Sequence, residues 1–147
     1  MENTAMLEKI NQYFHQQGWK YAMPENTYTV FLLGVSTKEG KFKCVLDVRE
    51  EESKFIFFTI FSEKVPENQR LTIAELLMKI NYTLFSGSFD MDFTDGQIRF
   101  KTSLMCESSN LTFPMIDYVV KGNISVMAQY SPLIHQYIKG EYPSLDN

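Results

Sequence analysis

The densest run of potentially reactive side chains is Asp90-Met91-Asp92-Phe93-Thr94-Asp95-Gly96, whose alternating carboxylates invite a calcium reading. An EF-hand loop needs oxygen ligands at positions 1, 3 and 5, glycine at 6 and glutamate at 12. Counted from Asp90, position 5 is Thr94, glycine falls at 7 and position 12 is Lys101. A strand would also turn Asp90 and Asp92 away from the tip, so these residues read as a hairpin and no metal is expected. His15 and His135 are the only histidines, and Cys44 and Cys106 the only cysteines. None of the four stands at the local spacing that zinc sites use, and neither histidine sits in a nucleophile motif. Ser86-Gly87-Ser88 precedes a strand rather than a helix, so it offers a phosphate no helix N-terminus. There is no Gly-x-Ser-x-Gly elbow. Neither an enzyme nor a cofactor is expected.

Composition narrows the alternatives further. The chain has 147 residues, 44% of them apolar and 14% aromatic, with 14 Lys+Arg against 18 Asp+Glu. That length suits one domain with a core of its own, and the apolar content excludes intrinsic disorder. A net charge of −4 argues against nonspecific nucleic-acid binding, which draws on clustered cations. Met1 to Ile10 lacks the basic and apolar regions of a secretory leader. Glu2 excludes N-myristoylation, and Ser144-Leu145-Asp146-Asn147 is no prenylation box. The most apolar run, Phe55 to Phe61, is far too short to span a bilayer. A cytoplasmic protein with reduced core thiols is expected, and the sequons at Asn81, Asn110 and Asn123 then carry no weight.

The elements that must position these residues follow from periodicity. Met6, Ile10, Tyr13 and Phe14 recur at helical spacing across Thr4 to Gln17, with Gly18 as the stop. Pro24 and Asn26 mark the loop into a first strand, Thr27 to Ser36. A second strand, Lys41 to Arg49, follows. A Glu39-Gly40 turn pairs Val35 with Cys44, Leu33 with Leu46 and Phe31 with Val48, all apolar. Glu50-Glu51-Glu52-Ser53 is a charged tip. The third strand, Lys54 to Phe61, is apolar on both sides and must be covered on both. Pro66 at N1 and Glu67 open a second helix with a stripe of Ile73, Leu76, Leu77, Ile80 and Leu84. Asp95-Gly96 as a type I′ turn pairs Phe93 with Ile98 and Met91 with Phe100 inside, and Asp92 with Arg99 and Asp90 with Lys101 outside. The last helix runs from about Pro114 to Ile138 on Ile116, Val119, Val120, Met127, Tyr130, Ile134 and Tyr137, and Ser131-Pro132 is a point where it can break. The result is one α+β domain over residues 1–140 with a loose tail at 141–147. Its mainly antiparallel five-stranded sheet lies in the order α-βββ-α-ββ-α.

The stretch from Val65-Pro66 through Leu104 resembles the YbjN-type family of bacterial sensory transduction regulators, which has a type III secretion chaperone-like fold. The resemblance rests on the Pro-opened helix, Leu76-Leu77-Met78-Lys79-Ile80-Asn81, Gly87-Ser88-Phe89 and Asp95-Gly96-Gln97-Ile98-Arg99-Phe100-Lys101-Thr102-Ser103-Leu104. Asn81, Gly87, Phe89, Asp95 and Gly96 are its fold signature. Gly87 permits the reversal from helix to strand, Phe89 opens an inner face, and Asn81 satisfies either a late helix carbonyl or a strand edge. The resemblance carries over no catalytic residue. It implies a small non-enzymatic protein that binds other proteins, chaperone-like or regulatory, with a homodimer and a client polypeptide as partners and neither nucleic acid nor membrane.

One surface remains to be accounted for. Val30, Leu32 and Val45, with Ile56, Phe58 and Ile60, share the side of the sheet away from the hairpin core. Either the chain's own helices cover them, or a second subunit or a client does. The alternative to protein binding is a sensor domain with a small-molecule pocket lined by Phe and Tyr.

Overall fold

In a computed structural model, which describes residues 3–24 and 29–145, a single antiparallel sheet carries three helices. Helix α1 is Ala5–Gln17, followed by strands β1 (Tyr21–Ala22), β2 (Val30–Thr37), β3 (Gly40–Arg49) and β4 (Lys54–Ile60). Helix α2 (Arg70–Thr83), strands β5 (Ser88–Met91) and β6 (Ile98–Met105), and helix α3 (Phe113–Ile138) complete it. The strand order is β1-β2-β3-β4-β6-β5. The sheet therefore has six strands, not five. The added strand, β1, has two residues, too short for any periodicity to reveal it. Asn26 and Thr27, expected in the first loop and strand, lie outside the described residues.

The core lies on one side of the sheet. Phe31 and Leu33 of β2, Phe42, Cys44, Leu46 and Val48 of β3, and Phe55 and Phe57 of β4 are buried there. They meet Met6, Ile10, Tyr13 and Phe14 of α1 and Ile116, Val120 and Met127 of α3. Alternate strand residues point into this layer, as period two requires. Asn123 of α3, fully buried, fastens helix to sheet by donating to the carbonyls of Phe57 and Phe100, both at 3.0 Å. Thr102 adds a bond from its hydroxyl to the Val119 carbonyl at 3.0 Å.

Both hairpins depart from the expected register by two residues. In the first, Thr37 pairs with Gly40, so Val35 faces Phe42, Leu33 faces Cys44 and Phe31 faces Leu46. The loop is Lys38-Glu39, closed by the Thr37 hydroxyl, which accepts from the Glu39 N–H and donates to the Gly40 carbonyl. In the second, Phe89 faces Phe100, Met91 faces Ile98 and Asp90 faces Arg99. Asp92 leaves the ladder because its carboxylate accepts from both the N–H and the hydroxyl of Thr94. Its carbonyl accepts from the Gly96 N–H at 2.7 Å. Phe93, expected inside, is half exposed in that loop. A slip of two keeps every side chain on its own face, so the apolar pattern is blind to it.

The helices differ from expectation at their prolines. Pro66 does not stand at N1 of α2. It precedes a 3-10 turn, Glu67–Gln69, that leads into the helix. Helix α3 starts at the Thr112 cap, whose hydroxyl accepts from the Met115 N–H, and runs unbroken through Ser131-Pro132. Pro132 removes one hydrogen bond, but Met127, Ser131 and Ile134 stay buried on either side of it, and that packing holds the axis.

Candidate functional site

The structure brings all six surface candidates together. Side chains away from the helices stand in rows across the sheet. One row runs Leu32–Val45–Phe58–Lys101, a second runs Val30–Asp47–Ile56–Ser103, and a third runs Gly34–Lys43–Ile60–Arg99. Val30, Val45, Ile56, Phe58 and Ile60 are each half-buried by their neighbours alone, and Leu32 is 40% exposed. The helices pack on the opposite side, against Phe31, Leu46, Phe57 and Phe100. Among the described residues no element of the chain lies over this strip.

Charges frame it. Arg99 sits 4.3 Å above the Phe58 ring, a cation–π distance, while its Nε donates to Asp90 at 2.7 Å. Arg49 pairs with Asp47 at 2.9 Å, and Lys54 with Glu52 at 2.6 Å. Gly34 gives the Lys41 stem room to cross β2, since a Cβ there would stand 3.1 Å from Lys41 Cε.

The fold-signature residues are structural, and each has a visible task. The Asn81 side chain donates to the Phe89 carbonyl at 3.0 Å and accepts from the Phe89 N–H at 2.8 Å. Of its two expected roles, it takes the strand edge. Gly87 has φ +83°, and a Cβ there would lie 2.7 Å from the Phe100 ring and 2.8 Å from the Lys101 carbonyl. Gly96 has φ +81°, and a Cβ would collide with the Val65 carbonyl oxygen. Asp95 accepts from the Gln97 N–H at 2.9 Å and pairs with Lys64 at 3.3 Å.

Polar clusters elsewhere resolve into ties between elements. His135 Nδ1 lies 3.3 Å from Glu63 and its Nε2 3.4 Å from Ser62 Oγ. The order is that of a nucleophile–base–acid triad, but both contacts exceed the usual 2.7–3.2 Å range. The imidazole also packs on Phe61, 4.5 Å between centroids, and joins α3 to the end of β4. Tyr13 donates to Asp117 at 2.7 Å. That bond, with one from Lys121, holds the Asp117 carboxyl below the usual carboxylate range. Cys44 and Cys106 are both free, the first buried and the second half-buried, so only Cys44 is a core thiol. An open groove of about 540 Å³ lies between the β2–β3 hairpin and α3, floored by Val35, Ile124 and Ala128 beside Trp19. Phe14, Tyr13, Tyr21 and Phe31 pack on one another rather than line a cavity.

One apolar surface escaped sequence reasoning. Leu71, Met78, Tyr82 and Phe85, spaced by seven, four and three, form an exposed stripe along and just past α2, with Tyr82 93% exposed. The spacing is helical and legible, but the stripe of Ile73, Leu76, Leu77 and Ile80 on the buried face absorbed the pattern.

Three helices on one side of an antiparallel sheet, with no described element on the other, make a type III secretion chaperone-like α+β fold. The chain belongs to the YbjN family, whose model, "Putative bacterial sensory transduction regulator", matches residues 7–136. It is similar to the crystal structure of YbjN, "a putative transcription regulator" from E. coli, with TM-score 0.64 at 14% identity over 91% of this chain and 93% of that one. It is also similar to a chain of the HopA1–SchA chaperone–effector complex, with TM-score 0.58 at 10% identity over 88% and 94%. A third likeness is to a chain of the heterodimeric ExoU–SpcU complex from the type III secretion system of Pseudomonas aeruginosa, with TM-score 0.55 at 16% identity over 84% and 96%. No curated protein matches the chain in sequence. None of the described helices is long and apolar enough to cross a membrane.

Proposed function

We propose that this protein is a non-enzymatic, chaperone-like or regulatory module that binds a polypeptide partner on the open sheet face of Val30, Leu32, Val45, Ile56, Phe58 and Ile60. One observation carries the reading. Six apolar side chains form a contiguous strip in the middle of a sheet whose helices all lie on the other side. Such a strip is released from water only when something from outside the described chain lies on it. The chaperone–effector and heterodimeric assemblies built on this fold are the precedent. A second copy is the natural cover for the α2 stripe of Leu71, Met78, Tyr82 and Phe85, and two free thiols suit the cytoplasm.

Methyl NMR tests the binding reading directly. Titrating the protein with a permanently unfolded chain, reduced carboxymethylated α-lactalbumin, is expected to shift the methyls of Val30, Leu32, Val45, Ile56 and Ile60. Those of Ile10 and Ile116 in the core should stay put. Unmoved surface methyls at millimolar client would reject the site. For the second copy, light scattering of wild type and the Met78→Glu/Tyr82→Glu variant decides. A dimer that becomes a monomer supports it, and a monomeric wild type sinks it.

A further inference from the structure

We propose that the partner of the open face is acidic: an extended segment that carries both aliphatic and acidic side chains on its sheet-facing side, its carboxylates held by Lys41, Lys43 and Lys101. This rests on the polypeptide-binding reading above and names the chemistry of the bound chain.

The argument starts from how charge is distributed. The outward positions of the strands carry Lys41, Lys43, Arg49, Lys54, Arg99 and Lys101 against only Asp47 and Asp90. Six of the 14 basic residues thus share one face with two of the 18 acidic ones. The strand positions of this face are net +4, or +3 with the Glu52 that reaches Lys54, while the whole chain is net −4. Three of the cations are already engaged, Arg49 by Asp47, Lys54 by Glu52 and Arg99 by Asp90. Among the described residues Lys41, Lys43 and Lys101 have no carboxylate within ion-pair distance.

The spacing of the three suits an extended chain. Lys41 and Lys43 stand two apart on β3, about 6.7 Å along the strand, which is also the repeat of same-face side chains in an extended peptide. Lys101 lies on β6, with β4 between it and β3, roughly 10 Å across. Lys43 stands beside Ile60 and Lys101 beside Phe58, while the Lys41 stem crosses over Gly34 of β2. An extended chain whose sheet-facing residues include both kinds therefore sets its carboxylates on the lysines and its aliphatic groups on the apolar strip.

Two other anionic surfaces fit less well. Single-stranded nucleic acid is held by stacking its bases on open aromatic rings. Among the described residues the one ring at an outward strand position, Phe58, is capped by the Arg99 guanidinium at 4.3 Å. A lipid surface is entered by protruding apolar groups, yet of the six strip residues only Leu32, 40% exposed, stands clear of its neighbours.

The test uses three synthetic peptides in which every second residue is Ser and the others, which share one face of the extended chain, alternate an aliphatic residue (Val, Leu or Ile) with a varied one, all Glu, all Ser or all Lys. Binding to the full chain is followed by fluorescence anisotropy and by the methyls of Leu32, Val45, Ile56 and Ile60. The Glu peptide is expected to bind about tenfold tighter than the Ser peptide, with the Lys peptide weakest and the gap closing at high salt. Lys41→Glu/Lys43→Glu/Lys101→Glu should reverse the order, and the corresponding Gln triple variant should level the Glu and Ser peptides. Thermal midpoints of both variants report whether they fold. Equal affinity of the Glu and Ser peptides, with the methyls shifting, overturns the acidic preference and leaves polypeptide binding intact. No methyl shift with any peptide overturns both. Binding of oligo(dT) or phosphatidylserine vesicles that the triple variant abolishes, with no peptide bound, assigns the face to those ligands instead.

Discussion

Asn81 pairs with the backbone of Phe89 as a neighbouring strand would, its amide giving one hydrogen bond and taking another. Removing it leaves a partly buried N–H and C=O unpaired, which costs about 1–3 kcal/mol. Asn81→Ala is expected to lower the denaturant midpoint accordingly and to speed amide exchange at Phe89. Unchanged exchange there would mean that water replaces the amide without loss.

Glycines at positive φ separate into two kinds. At Gly18, φ +71°, a Cβ would meet nothing within 4 Å, whereas at Gly96 it would strike the Val65 backbone. Gly18→Ala is expected to cost only the left-handed penalty of about 1–2 kcal/mol. Gly96→Ala should cost clearly more, because the Val65 N–H also donates to the Gly96 carbonyl at 2.9 Å. Paired thermal melts check the order.

Burial pushes the Cys44 thiol up to about 11, and Cys106 is raised in the same direction. Alkylation needs the thiolate, so iodoacetamide at neutral pH should label Cys106 slowly and Cys44 only on unfolding. Peptide mapping distinguishes the two. Cys44 also sets a sign for alkaline pH. Its neutral form is favoured in the fold, so that contribution is complete below the ordinary thiol pKa and is lost as pH climbs from there towards 11.

Asp117 works in the opposite direction. Its carboxyl is held low by the hydrogen bond from Tyr13 and by Lys121. A carboxylate lowered in the fold stabilises it above the unfolded pKa of about 4, and that gain disappears as pH falls through the folded value. Tyr13→Phe should therefore destabilise at pH 7, with the two stability curves converging in strong acid. Because the Asp117 side chain is 39% exposed and screened by solvent, its share is below about 1 kcal/mol. Parallel curves down to pH 2 would contradict the coupling.

Most of the fold was legible because period fixes face. Phe55 and Phe57 against Ile56 and Phe58 required cover on two sides, and among the described residues no element of the chain covers the second. What sequence could not supply was register. Lys38-Glu39 and Phe93–Gly96 loops are chosen by the Thr37 hydroxyl and the Asp92 carboxylate, and a two-residue slip leaves no trace in the apolar pattern. The strip residues were found by strand parity. The lysines obey the same parity, but the expected register matched Lys101 with Asp90, and only the observed match of Asp90 with Arg99 leaves Lys101 without a carboxylate.

The two ends of the sheet are not equivalent. On one side the Asn81 amide occupies the outward groups of Phe89. On the other, β1 pairs only with Leu32 and Leu33, so among the described residues the rim of β2 from Gly34 to Thr37 has no strand beside it. A sheet able to pair at both rims polymerises. One with a single competent rim has a valence of one: two such rims can meet, consume each other and terminate. An encounter through β2 alone would therefore close at a pair of molecules, whereas the same encounter between copies already joined through α2 would give each molecule two valences and let a chain grow.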